Sequence, residues 1–294
     1  MSRDLSTCRI ARSDNTHHVL ILRDELQTLW QGKDVFAEVQ QLRGDVARVA
    51  PGRQTLRFEL NGQAYYRKLH TGVGWGEIFK NLVRLRLPVI GARNEWLALN
   101  KLAELDVSSL TPVAYGEQNT NPATRLSFIV TRELTGTVQL DHYLLERFLQ
   151  AGALGFTEKL VLLQQVAKIA RVLHAGGINH RDFYLCHFLL DCRSMETWRQ
   201  GHGEPVLYLV DLHRAQLRSS VPRRWLVKDL GSLYFSAMDL GVNSRDICRF
   251  LRLYFGESLR QIIEQRRALL SEIEQRAQGL YAREQRLMQR RGKE

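Results

Sequence analysis

The stretch Ile178-Asn-His-Arg-Asp-Phe-Tyr-Leu-Cys-His-Phe-Leu-Leu190 decides the reading of this chain. It opens directly after Ala175-Gly-Gly177, a glycine stop on a run in which Leu160, Val161, Leu163, Val166, Ile169, Val172 and Leu173 keep the 3.6-residue rhythm of a helix. It closes on Phe188–Leu190, an apolar run of strand type. His180-Arg181-Asp182 therefore lies on a loop between a long apolar helix and a short strand, with His187 five residues beyond the aspartate.

Three further groups fall into order around it. Downstream, Tyr208-Leu-Val-Asp211 reads as a buried strand ending in a carboxylate. Upstream, Lys68 closes a strand, and Glu95 lies on the next suitable helix, Arg93-Asn-Glu-Trp-Leu-Ala-Leu99. A chance His-Arg-Asp is common, but the sequence lysine, glutamate, His-Arg-Asp, aspartate on these element types follows the order of protein kinases. In those enzymes the fifth residue after the catalytic aspartate is asparagine; His187 is a departure.

The resemblance then narrows. The stretch above, with Val210-Asp-Leu-His-Arg-Ala-Gln-Leu-Arg218, Val221-Pro-Arg-Arg-Trp225 and Lys228-Asp-Leu230, is similar to the lipopolysaccharide core heptose(I) kinase family. Thr55–Leu60, Leu87–Ala92 and Asn121–Thr131 extend the likeness, which covers most of the chain from Gly32 to Gly256. It implies a cytoplasmic, kinase-like enzyme that phosphorylates the first inner-core heptose, at O-4, during lipopolysaccharide core biosynthesis in Gram-negative bacteria. It also implies ATP and Mg²⁺ as cofactors, and a core/lipid A precursor at the inner-membrane surface as acceptor.

The residues suit that chemistry in their own right. Phosphoryl transfer to an alcohol needs a carboxylate to orient the hydroxyl and take its proton, and cations to neutralise the transferred group. Asp182 is the expected base. Asp211 is the expected Mg²⁺ ligand, since this hard ion prefers carboxylate oxygen. Lys68 is placed on the nucleotide phosphates with Glu95 holding it. His187 either completes the metal site or buttresses the loop. His180 and Arg181 read as structural. Asp229 either anchors the catalytic loop or serves its own helix start. The acceptor carries acidic sugars and phosphates, so Arg214, Arg218, Arg223 and Arg224, which follow Asp211, are expected to bind it.

The pattern is α+β: a two-lobed, kinase-like fold with a small antiparallel β lobe and a mainly helical C-terminal lobe. Residues 1–31 read as an irregular, peripheral extension, residues 32–133 as the nucleotide-binding lobe, and residues 134–294 as the catalytic lobe with a charged helical tail. Asn61-Gly62 between two alternating runs marks a hairpin. A helix is expected over Glu77–Leu87, closed by Pro88. The tail from Leu259 reads as an exposed helix or frayed end.

Composition sets the boundaries. With 294 residues, 44% hydrophobic and 25% charged, the chain can bury a real core, and long disorder is excluded. Cys8, Cys186, Cys192 and Cys248 have no paired spacing and fit a reducing compartment. There is no signal-peptide pattern and no run of apolar residues long enough to span a membrane, so a cytoplasmic location is expected. A net charge of +11 calls for an anionic partner: nucleic acid, an acidic membrane surface or a polyanionic substrate. No nucleic-acid-binding motif is present. An acidic protein partner is compatible with the charge but has no motif behind it. Lys80, Arg84 and Arg86 interleave with apolar residues, either as a membrane-surface helix or as a helix packed on the small lobe.

Thr71-Gly-Val-Gly-Trp-Gly76 is a flexible turn rather than a phosphate loop, because it follows Lys68 instead of preceding it. The segment before that strand, Val49-Ala-Pro-Gly-Arg53, has one glycine, and Arg53 is the residue there able to grip phosphate. Two readings compete with the first: the same fold acting on another acceptor, such as protein tyrosine or a soluble sugar, and a catalytically silent kinase-like module.

Overall fold

The computed structural model describes residues 18–72, 74–76, 79, 91–151 and 155–291. The chain divides into two compact units, Met1–Asn100 with Leu110–Leu134, and Lys101–Ser109 with Thr135–Glu294.

The first unit is built on a six-stranded antiparallel sheet of β1 (His18–Leu22), β2 (Asp45–Ala50), β3 (Arg53–Leu60), β4 (Gln63–His70), β5 (Pro112–Gln118) and β6 (Leu126–Arg132), in the order β1-β5-β6-β4-β3-β2. Asn61 and Gly62 both take positive φ, 51° and 76°, as a two-residue hairpin loop of the twist-matching type requires. The pleat sends alternate residues of β4 to opposite faces. Tyr65 and Leu69 enter a core with Phe58, Phe128 and Val130, covered by α1 (Asp24–Leu29) and α2 (Val35–Gln41) through Leu26, Phe36 and Val39. Lys68, one residue out of phase, meets α3 (Arg93–Glu104) instead.

Residues 18–31 are not a peripheral extension. β1 pairs with β5 along its whole length, and Leu26 and Trp30 are buried in the sheet's core. A five-residue edge strand and a helix under two turns long are too short to show a period, so no pattern announces them. The helix expected over Glu77–Leu87, with Lys80, Arg84 and Arg86, lies outside the described residues except for Phe79.

The second unit is mostly helical. α4 (Leu140–Ala151) and α5 (Phe156–Ala175) precede β8 (Ile178–Asn179). β9 (Phe188–Asp191) pairs with β10 (Leu207–Leu209) and with β7 (Thr137–Gln139). After α6 (Cys192–Arg199), β11 (Gln216–Leu217) pairs back to β8, which brings the segment after Asp211 beside the His-Arg-Asp loop. Gly177 makes this approach possible. Its φ is +76°, and a Cβ there would lie 1.9 Å from the carbonyl oxygen of Arg218.

Three helices complete the unit: α7 (Arg223–Ala237), α8 (Ser244–Phe255) and α9 (Leu259–Arg291). The tail is not frayed. Ile262 and Ala277 of α9 are fully buried, Leu269 and Ile273 nearly so, and Arg276 Nε donates to the Lys228 carbonyl at 3.3 Å. α9 seats on α7 at Gly231, whose missing side chain leaves room for Arg276.

Candidate active site

In the first unit, Lys68 Nζ donates to Glu95 Oε1 at 2.6 Å, the strand–helix ion pair that protein kinases use to hold their phosphate-binding lysine. Glu95 is 1% exposed and Lys68 19%. The second oxygen of Glu95 is buried with no hydrogen-bond partner among the described residues, so the pair leaves one carboxylate oxygen unanswered. Arg53 opens β3, opposite Ala50.

In the second unit the catalytic loop is fixed from beneath by Asp229, which is wholly buried in the middle of α7. Its two oxygens accept from successive backbone N–H groups, His180 at 2.7 Å and Arg181 at 2.8 Å. Of the two roles open for Asp229 in sequence, the geometry has the loop anchor. His174 of α5 brings Nε2 within 3.4 Å of the same carboxylate and bonds Tyr254 of α8 at 2.8 Å through Nδ1, so three helices converge on it.

Arg181 turns at φ 75°, a left-handed conformation unusual for a residue with a side chain. This turn presents two consecutive N–H groups to one carboxylate. His180 is fully buried, and burial lowers its pKa, which leaves the ring neutral. Nε2 lies 3.0 Å from the Val210 carbonyl, which can only accept, so Nε2 carries the proton. That bond ties the loop to the chain entering Asp211.

Asp211 also turns left-handed, at φ 62°. His213 Nδ1 is 2.5 Å from its Oδ1, and His187 Nε2 is 3.5 Å from its Oδ2. The other nitrogen of His187 donates to the Asp182 carbonyl at 2.6 Å. His187 thus spans from the catalytic loop to Asp211. Burial pushes its pKa down, but hydrogen bonds with Cys186 and the Asp182 carbonyl, and the Asp211 charge, outweigh it and raise the pKa to about 9. The Asp211 carboxylate is the donor here whose chemistry suits Mg²⁺, an ion that takes few protein ligands and completes its shell with water and phosphate oxygens.

Asp182, at 19% exposure, is gripped by Arg214: Nη1 donates to Oδ1 at 2.9 Å and to Oδ2 at 3.0 Å. Lys228 Nζ stands 3.9 Å from Oδ1. Burial, and to a lesser degree the charges of Arg214 and Arg181, lower the Lys228 ammonium to about 8 against the pull of Asp182.

The remaining expected acceptor groups each have a partner within the chain. Arg218 donates to Gln216, Arg223 is paired with Glu272 of α9 at 2.8 Å, and Arg224 lies over the Trp225 ring. Sequence reading gave no role to Lys228, His213 or Trp225. The available signal was position, for Lys228 precedes the loop anchor and His213 is two residues past Asp211.

Comparison with known proteins places this geometry. The profile of the Lipopolysaccharide kinase (Kdo/WaaP) family matches residues 37–254. The lipopolysaccharide core heptose(I) kinase WaaP of Pseudomonas aeruginosa is 44% identical over 91% of this chain and 97% of its own length. That of Escherichia coli strain K12 is also 44% identical, over 90% of this chain and 98% of its own. Among solved structures, a WaaP in complex with acyl carrier protein is similar at a TM-score of 0.76 and 39% identity, covering 89% of this chain and 99% of that one.

Proposed function

Because the chain belongs to the lipopolysaccharide kinase (Kdo/WaaP) family, we propose that it is the lipopolysaccharide core heptose(I) kinase of its cell, using ATP and Mg²⁺. The acceptor hydroxyl is O-4 of the first heptose. Its oxygen attacks the γ-phosphorus of ATP, the bond to the β-phosphate oxygen breaks, ADP leaves, and the hydroxyl proton passes to Asp182. The observation that carries this reading is the pinned loop: Asp229 holds two backbone N–H groups while Asp182 remains partly exposed at its tip.

The other roles follow from charge and position. Lys68, kept in place by Glu95, binds nucleotide phosphate, with Arg53 as a second contact. Asp211 and His187 would hold Mg²⁺, which neutralises phosphate charge when bound; taking the ion at His187 means displacing the proton its raised pKa retains. Arg214, with Arg218 and Arg224, serves the anionic acceptor. Arg223, whose pair with Glu272 is exposed and therefore weak, belongs to the same set.

Labelled ATP, Mg²⁺ and dephosphorylated core lipopolysaccharide, with the phosphate mapped on the product, test the assignment. Transfer to protein instead of heptose would reject it. Asp182→Asn should lower kcat by about 10²–10⁴-fold with the fold intact.

Two partners complete the reading. The helical unit contains an apolar cavity of about 340 Å³, lined by residues including Leu144, Leu162, Val166, Leu233 and Phe250, with the Lys159–Asp246 ion pair in its wall. A largely apolar pocket of this kind suits an apolar guest. The chain therefore binds an acyl carrier protein, as the solved relative does, with the acyl chain in this cavity. Val166→Trp should abolish binding of acylated but not unacylated carrier if the cavity is the receptor. Trp75 and Phe79, 51% and 60% exposed, precede the basic run Lys80, Arg84, Arg86 and anchor the enzyme at the cytoplasmic face of the inner membrane. Trp75→Ser with Phe79→Ser should lower co-sedimentation with acidic vesicles.

A further inference from the structure

Trp225 lies in the first turn of α7 with three cations against its ring. Arg181 Cζ is 5.0 Å from the ring centroid, Arg224 Cζ 5.2 Å and Lys228 Nζ 5.6 Å. Each contact alone is an ordinary cation–π pair. Their concentration is less ordinary, because Arg214 adds a fourth cation at Asp182, within electrostatic reach of both Arg181 and Lys228. Two carboxylates act on Lys228, and Asp229 is wholly buried with its oxygens on the loop N–H groups. Asp182 is left as the accessible counter-charge.

Like charges gathered on a half-buried surface repel one another and lose hydration, a cost that an incoming anion removes. The indole they surround also carries an unused neutral donor: Trp225 Nε1 is buried with no acceptor among the described residues. Cations and an indole N–H suit a carboxylate or phosphate substituent on a sugar.

We propose that Lys228, with Arg181 and Arg224 around the Trp225 ring, is an anion subsite that seats an acidic group of the acceptor beside Asp182. The proposal rests on the heptose-kinase reading for its acceptor, and adds to it residues that face Asp182 from α7 and the loop. Lys228 is a specificity-determining residue in this scheme. It binds the carboxylate or phosphate and leaves the proton transfer to Asp182.

The test uses the full chain with Mg²⁺ and ATP, and three variants of the acceptor: intact, carboxyl-reduced, and stripped of its other phosphates. Lys228→Gln should raise the KM for intact acceptor about tenfold, with the KM for ATP within about twofold, and Lys228→Arg should restore most of the loss. The modified acceptor on which wild type and Lys228→Gln become equal identifies the anion as carboxylate or phosphate. A fall in kcat with unchanged acceptor KM would assign Lys228 to the transfer step and overturn the proposal, as would equal damage to both substrates.

A second measurement is independent of turnover. Inorganic phosphate and glucuronate are titrated against the Trp225 indole N–H resonance without nucleotide. The wild type should shift with at least one anion and Lys228→Gln should not. No shift with either anion in the wild type rejects the subsite even if the kinase is active. A shift in a protein that phosphorylates no core acceptor supports the subsite and rejects the acceptor assignment instead.

Discussion

Asp229 concentrates more of the loop's stability than any other side chain near it. Its carboxylate answers two backbone N–H groups and sits within reach of His174, all away from solvent. Asp229→Ala leaves one buried and one part-buried donor unsatisfied, the buried one at about 1–3 kcal/mol. Thermal denaturation should show that loss together with loss of phosphotransfer. The Lys68–Glu95 pair separates the same two quantities. Lys68→Met strands the carboxylate of a residue that is 1% exposed, and removing one partner of a buried pair costs about 3–5 kcal/mol, less here because Lys68 is partly solvated. Lys68→Met with Glu95→Leu should recover much of the melting temperature while activity stays lost. Both residues stand out in the sequence because their order and spacing belong to a known chemistry. Lys228 does not stand out, because a lysine on a basic helix is invisible until the helix is known to point its next residue at the catalytic loop.

Among the elements, α9 departs furthest from what its composition suggests. It runs 33 residues rich in both charges, yet Ile262, Leu269, Ile273 and Ala277 are buried, and the helix meets α7 from Glu272–Arg223 through Arg276 at Gly231. Four apolar positions across four turns make too narrow a stripe to distinguish packing from a solvated helix by pattern alone. Truncation before Leu259 should expose the face of α7 behind Lys228 and Gly231, lowering thermal stability and phosphotransfer together. Truncation after Tyr281 should change both little, because the segment beyond it is largely exposed. A truncation before Leu259 that melts like the full chain would show that α7 needs no support. By contrast, the hairpin at Asn61-Gly62 and the helix ending before Gly176-Gly177 were legible, since each carries a turn signal with its own backbone requirement, and so was the apolar strand leading into Asp211, though not β11 beyond it. β1 and α1 were not, being set by pairing with β5 and burial in a core assembled from distant segments.

At the scale of the whole molecule, net charge and chemistry point the same way. A chain of +11 whose proposed base, Asp182, has Arg214, Lys228 and Arg181 around it should bind an anionic acceptor in a salt-dependent manner. The Debye length falls from about 10 Å at 0.1 M salt to about 3 Å at 1 M. The acceptor KM should therefore rise with salt for the wild type and rise less steeply for Lys228→Gln. Parallel salt curves for the two proteins would separate the overall charge from this site.

The grip of Arg214 on Asp182 bears on what happens when no acceptor is present. One guanidinium nitrogen bridges both carboxylate oxygens, covering the edge on which a proton would be received. With Asp182 as the proposed base, a passing water molecule would meet an arginine instead, and bound ATP would survive the wait for a sugar. On the proposed mechanism, an acidic acceptor drawing the guanidinium toward itself would uncover Asp182 as its hydroxyl arrives, and one ion pair would couple ATP use to sugar phosphorylation. Arg214→Gln should raise phosphate release from ATP without acceptor, relative to transfer with it. An unchanged ratio would mean that futile hydrolysis is held off elsewhere in the molecule.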